Sequence, residues 1–250
     1  MENQVNNTEL FSRKSDDYSR FRPSYPDAAV DWLFEKCPAK HVLDVGAGTG
    51  IFTQVLLRRF QNVSAVEPNA DMRNQFVKNL PEIFCSDGTG EATKLPDSSV
   101  DLITVAQAFH WIDTEKFKQE AMRLLRPDGR VAIVWNTSID NDFTSARNKV
   151  CQKYCPRFRA GHAGKHSVAE GDAFLRNSYF REVEVVSFEN PFAMDLCTFE
   201  GNIRSRSYSI LSGDRDYEHF MSELRAVFDR FAVDGVVVEP QETQIFFGRF

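Results

Sequence analysis

Between His41 and Trp135 five short β-rich runs alternate with helical stretches, and this alternation restricts the fold more than any other property of the chain. The runs are 41–45, 62–66, 82–85, 100–105 and 130–135, dominated by apolar and β-branched residues. Helical periodicity fills 51–60, 69–79 and 113–126, where Asp113 can N-cap the last helix and Pro127-Asp128-Gly129 can stop it. Strands alternating with helices of this length predict a parallel sheet with right-handed crossovers and helices on both faces. After Asn136 the rhythm loosens. Helices are expected near 141–154, 168–176, 195–205 and 214–231, with strands over 182–188 and 243–250. The expected architecture is one α/β domain over 1–250, doubly wound on a mostly parallel sheet of about seven strands. In it, 1–40 form cap helices, 41–135 bind a ligand, and 136–250 add lid helices and the last strands.

The first strand runs into Gly46-Ala47-Gly48-Thr49-Gly50 and then into a helix. Glycines tolerate positive φ and let a ligand approach the backbone, and the following helix offers unpaired N–H groups. A dinucleotide loop places its third glycine one residue later, and Asp44 just before the loop is poorly placed for a diphosphate. Asp44 suits instead the ammonium of an amino acid, whose carboxylate the loop can accommodate. Glu67, twenty-one residues after Gly46, ends the second strand and can accept from both hydroxyls of a ribose. The pattern describes a ligand with an amino acid at one end and a nucleoside at the other, as in S-adenosylmethionine.

Composition narrows the partner. Thirty Lys and Arg against 36 Asp and Glu give a net charge of -6, which disfavours nucleic acid and anionic membrane surfaces and favours a small molecule. The first ten residues lack basic and apolar signal regions, no apolar run approaches a membrane span, and five scattered cysteines are an odd number. A reduced, cytoplasmic protein is expected, its oligomeric state open. The 22 phenylalanines are distinctive: Phe52, Phe76, Phe109, Phe117, Phe246, Phe247 and Phe250 fall in or beside the α/β elements. Phe143, Phe158, Phe174, Phe192 and Phe199 belong to the later insert and would either pack a core or line a dry pocket.

Over nearly its whole length the sequence resembles the class I S-adenosylmethionine-dependent methyltransferases, which are Rossmann-like, and within them the type 11 branch that includes trans-aconitate-methyltransferase-like proteins. The resemblance rests on Tyr18 to Pro26, Val42 to Gly50, Val66-Glu67-Pro68-Asn69, Gly88 to Ala92, Ala106 to Trp111, Val134-Trp135-Asn136 and Arg204 to Tyr208. It implies S-adenosyl-L-methionine as cofactor, held by Asp44, Gly46, Gly48, Gly50, Glu67 and Pro68. Thr89, Gly90 and Glu91 would edge the adenine, Met72 would pack on its face, and Gln107 would lie beside the methionine portion. Tyr18 and Arg22 would close over the cofactor. Gly90 stands where the family often has Ala, and Thr93-Lys94 replaces a more apolar pair.

Methyl transfer from a sulfonium needs alignment and exclusion of water, and a base only when the acceptor carries a proton at working pH. His110 is the candidate base, with a structural histidine beside Trp111 as the alternative. Asn136 can orient a substrate at the same strand edge or simply form a turn. Arg204, Ser205, Arg206, Ser207 and Tyr208, late in an insert helix, would reach the pocket; two arginines suit an acidic acceptor, although positions 204 and 206 face different sides of a helix. Cys151, Cys155, His162 and His166 resemble a zinc set with too short a spacing, so no metal is expected. Two other readings of the same cofactor site are a cyclase that converts S-adenosylmethionine into a four-membered cyclic amino acid and methylthioadenosine, and a non-catalytic binding module.

Overall fold

A computed structural model describes residues 14–159, 162–163 and 166–250, with only the backbone at 162, 163 and 166–170. Two helices, α1 (Ser15–Phe21) and α2 (Asp27–Lys36), precede β1 (Val42–Val45), α3 (Ile51–Leu56), β2 (Val63–Val66), α4 (Ala70–Asn79), β3 (Cys85–Ser86), β4 (Val100–Ala106), α5 (Thr114–Leu124) and β5 (Leu125–Ser138). The second half comprises α6 (Asp142–Tyr154), β6 (His162–Ala163), β7 (His166–Ser167), α7 (Val168–Phe174), β8 (Glu182–Glu189), β9 (Phe192–Met194), α8 (Leu196–Ser205), α9 (Tyr217–Phe231), β10 (Val237–Glu239) and β11 (Gln241–Arg249).

Seven strands form one sheet in the order β3-β2-β1-β4-β5-β11-β8. β11 runs antiparallel to both its neighbours, while the pairings from β3 through β5 are parallel. β11 thus lies between β5 and β8, so residues 241–249 join β8 to the rest of the sheet. Period-two alternation sends Leu43, Val45, Ile103, Val105, Val131, Ile133 and Phe246 to one buried face. Val42, Leu102, Ala132, Val134, Ile245 and Phe247 go to the other, against α2 and α3. A third core belongs to α6, α8, α9 and the antiparallel β9–β10 pair. It contains Phe143, Phe158, Phe199, Phe220 and Phe228. Phe143 packs on Phe199 and Phe199 on Phe228, Phe192 borders the same core, and Phe174 packs instead on the first core beside Tyr179.

Several boundaries differ from expectation for local reasons. The third strand starts at Cys85, because Leu80 to Ile83 close a turn at Pro81 before pairing with β2 begins. Asp113 does cap α5, accepting from Lys116 N–H at 3.2 Å, but the helix ends at Leu124 where Leu125 turns extended. Pro127-Asp128-Gly129 consequently lies inside β5, with Asp128 at φ 68°, and is not the helix stop. α8 ends at Ser205, since Arg206 is extended, so Arg206, Ser207 and Tyr208 are not helical and the argument from helical facing does not apply to them. Among the described residues no helix is long and apolar enough to cross a membrane.

Candidate functional site

Strand order reverses between β1 and β4, and a cleft opens over their carboxyl ends, where such sheets leave a crevice. The glycine loop forms its floor. Gly46, Gly48 and Gly50 have φ of 67°, 59° and 90°, values that cost an L side chain about 1–2 kcal/mol each. Space matters as well at Gly46, where a Cβ would lie 2.6 Å from Ala108 Cβ. Gly46 and Ala47 donate N–H bonds to Val66 O at 2.8 and 3.1 Å, which stitches the loop to the end of β2.

Glu67 stands at that end. Its Oε2 accepts from Gly48 N–H and its Oε1 from Asn69 N–H, each at 2.8 Å. Two of about four acceptor sites on an ionised carboxylate are thereby used. Burial pushes the Glu67 carboxyl above its ordinary range, and the two N–H bonds and Arg73 oppose that shift. Arg73 also donates to Glu67 O at 2.7 Å and Pro68 O at 3.2 Å. Asp44, fully buried at the end of β1, accepts from Thr53 Oγ1 at 2.6 Å and Thr104 Oγ1 at 2.9 Å. Burial raises its carboxyl to about 6 despite the two hydroxyls. Thr53 and Thr104 escaped sequence reading because each bond spans separate elements.

Tyr18, Arg22, Pro23 and Tyr25 form the opposite wall of the cleft, with Phe52 and Ile51 from α3 and Gln107 and Asn136 at the strand ends. Phe52 is the one phenylalanine among its described lining residues, so the described insert phenylalanines do not line it. The Arg22 guanidinium lies 4.8 Å from the centre of the Tyr18 ring, and its Nη2 donates to Ser205 O at 3.4 Å. Its Nε is buried with no hydrogen-bond partner among the described residues. Burial, with repulsion from Arg206, lowers the Arg22 group to about 10.

Gln107 has φ 55°, unusual for a side-chain-bearing residue, and its Nε2 donates to Asn136 O at 2.8 Å. The Asn136 amide donates to Ser24 O at 3.1 Å and accepts from Thr243 Oγ1 at 2.5 Å and Asn190 Nδ2 at 3.2 Å. Asn136 thus ties the N-terminal segment to β5 and β11 while bordering the cleft. His110 occupies a 3-10 turn, Phe109–Trp111, stacked on Trp135 with centroids 5.2 Å apart and tilted on Trp111 at 4.7 Å. Met72 is buried in the first turn of α4, capped by Asn69. Thr89 and Ala92 exchange backbone hydrogen bonds, and Gly90 between them is tight against Ile112 and Val45. Glu91 Oε1 accepts from Asp113 N–H at 2.8 Å.

The segment 204–208 is divided. Arg204 pairs with Asp17 of α1 through two bonds of 2.9 and 3.3 Å, so its charge is spent on fastening α8 to α1 and not on the cleft. Arg206 grips Asn202 Oδ1 with two bonds, and that amide in turn donates to Phe21 O. Tyr208 packs edge-on to Phe158, and burial raises its hydroxyl to about 12, which keeps it a neutral donor. Ser207 is half-buried in the turn between them. Cys151 and Cys155 are buried in the third core, whereas the side chains of His162 and His166 lie outside the described residues. Among the described residues no cluster of three metal-ligating side chains occurs.

Residues 43–133 match a family described as a methyltransferase domain. An uncharacterized methyltransferase of Mycobacterium tuberculosis is 47% identical over 120 residues, covering 48% of this chain and 49% of that protein. An uncharacterized methyltransferase-like protein of Schizosaccharomyces pombe is 36% identical over 128 residues, covering 50% of each. The chain spans about half the length of these curated relatives. A solved structure from Anaeromyxobacter dehalogenans, described as a candidate type II methyltransferase, superposes with a TM-score of 0.67 at 26% identity, covering 92% of this chain and 98% of that one. With the sheet order and the glycine loop joined to an acidic second strand, these likenesses support a class I S-adenosylmethionine-dependent methyltransferase of the type 11 branch, the family match itself lying over 43–133.

Proposed function

We propose that the chain methylates a small anionic acceptor with S-adenosylmethionine, all of 14–250 serving one methyltransferase domain in which 41–135 hold the cofactor. The observation that carries this reading is the pair of buried carboxylates, Asp44 and Glu67, set at the ends of adjacent strands with the glycine loop between them. The residues fit the cofactor. Glu67 retains acceptor capacity for ribose hydroxyls, and Asp44, already oriented by two threonines, complements an ammonium. The buried unpartnered Nε of Arg22 is a donor awaiting an anion at the cleft wall. Thr89, Gly90 and Glu91 edge the adenine, Met72 backs it, and Pro68 turns the chain beside Glu67. Gln107 borders the methionine portion, and Tyr18 excludes water from above.

Bound S-adenosylmethionine supplies a methyl group on a sulfonium, which passes to a nucleophile by in-line displacement. The protein aligns that nucleophile. Arg206 and Arg22, repelling one another at the lid boundary, favour an acceptor with a carboxylate or comparable anion, and Ser207 and Tyr208 add neutral donors beside them. A carboxylate nucleophile needs no base. For an acceptor carrying a proton, His110 is the group to take it, held between Trp111 and Trp135. Asn136 keeps the strand edge and the N-terminal segment together around the reacting atoms.

Incubation with S-adenosylmethionine and a panel of small carboxylic acids, analysed by mass spectrometry, tests the reading. Expected is S-adenosylhomocysteine only when an acceptor is added. Methylthioadenosine formed without acceptor would replace methyl transfer by cyclisation, and binding without turnover across a broad acceptor panel would favour a binding module.

A further inference from the structure

One face of α5 carries Phe117, Glu120, Ala121 and Leu124, all buried. Three of them enter the core beneath the sheet, and the spacing makes Glu120 the one charged residue in an otherwise apolar stripe. A hydrophobic side chain at such a place is often as stable as a buried ion pair or more so, which makes the carboxylate hard to explain by stability alone. Its partners suggest a reason.

Glu120 Oε1 accepts from Thr93 N–H at 2.8 Å and Thr93 Oγ1 at 2.6 Å. Arg123, one turn on, donates to Oε1 from Nη2 at 2.7 Å and to Oε2 from Nε at 2.8 Å. The same guanidinium reaches Leu95 O at 2.8 Å, so the pair grips the chain on both sides of Lys94, whose φ is 65°. Arg123 and Thr93 hold the Glu120 carboxyl down at about 2, so it is ionised throughout the working range. Upstream the chain folds tightly: Ala92 O and Thr93 O lie only 2.8 Å from where a Gly88 Cβ would be. The 88–93 loop is thus fastened to α5 twice, once through Glu91 at the N-cap residue Asp113 and once through Glu120 two turns later.

We propose that Glu120, braced by Arg123, is a positioning residue that sets the Thr89–Glu91 edge for adenine recognition without touching the ligand. The inference rests on the S-adenosylmethionine reading. It assigns adenine selectivity to a carboxylate behind the loop as well as to the residues at the cleft.

The test is a comparison of S-adenosylhomocysteine with S-inosylhomocysteine, which differs at the purine's six-position, measured by calorimetry on the full chain. Glu120→Leu is expected to fold, checked by its thermal midpoint, yet to lose about tenfold in preference for the adenine ligand. Glu120→Gln, which preserves an acceptor for Thr93, is expected to recover much of that preference. Thr93→Val supplies a second variant with the helix intact, and it should lower the preference by a smaller factor. A preference unchanged in both Glu120→Leu and Thr93→Val overturns the proposal, as does equal weakening toward both ligands. Failure of the unmodified protein to bind either ligand would instead overturn the cofactor reading itself.

Discussion

Glu67 binds backbone N–H groups at Gly48 and Asn69, nineteen and two residues away, whereas Arg204 binds a carboxylate 187 residues away on α1. The same contrast holds more widely. In the cofactor half, polar side chains fasten loops to neighbouring strands and helices. In the lid, Lys14 donates to Arg206 O and Ser209 O, Asn202 to Phe21 O, and Arg22 to Ser205 O, each joining chain segments more than 180 residues apart. The part spanning 41–135 is therefore organised by shorter-range contacts, and 136–250 by docking against distant elements. Disturbing the first should alter ligand affinity directly, while disturbing the second should alter mainly the docking of α1 on α8.

The largest effect is expected at the local node. Glu67→Ala removes the clasp on Gly48 and the proposed ribose acceptor together, and should weaken S-adenosylhomocysteine by about 3–5 kcal/mol in calorimetry. On the lid side, Gly201 faces Phe21, and a Cβ there would come within 2.2 Å of the ring. Gly201→Ala should cost about 1–3 kcal/mol of stability by separating α1 from α8. Hydrogen exchange should show the loss confined to those helices, with β1 and β4 still protected.

Asp44 sharpens the contrast through pH. Its folded carboxyl titrates near 6, above its ordinary value of 3.8, so protonation is favoured by folding. The ligand-free protein should therefore lose stability as pH rises from about 4 to about 6, because the unfolded chain ionises first. Cofactor binding runs the other way: an ammonium needs the ionised form, so affinity should fall by up to about tenfold per unit as pH drops below 6. Titrations at stepped pH with Asp44→Asn should show both dependences flattened. The smallest effect belongs to Arg204→Ala, where a half-exposed ion pair with Asp17 contributes about 0.2–1 kcal/mol. Its thermal midpoint should shift slightly, with acceptor KM nearly unchanged, while Arg206→Ala raises acceptor KM.

The legible parts of the site were those whose placement follows from short spacing. Asp44, the three glycines and Glu67 occupy strand ends that periodicity already marks, so their convergence needed only the parallel pairing of β1 with β2. The 204–208 segment was less legible, because helix propensity does not show that Arg206 turns extended and leaves Arg204 facing α1. Glu120 was hidden for a related reason. A carboxylate in an apolar stripe reads as a solvated position until Thr93 and Arg123 are seen around it.

Alternating strands and helices specified the doubly wound sheet, and the glycine loop with an acidic second strand marked the strand ends over which the cleft opens. These signals are carried by residues close in sequence, where backbone geometry follows residue type. Tertiary structure alone decided that β11 lies between β5 and β8, that Phe143, Phe158, Phe192 and Phe199 belong to a third core while Phe174 joins the sheet core, and that Arg204 pairs with a carboxylate of α1. Those outcomes depend on contacts between distant segments, whose energies no local pattern encodes.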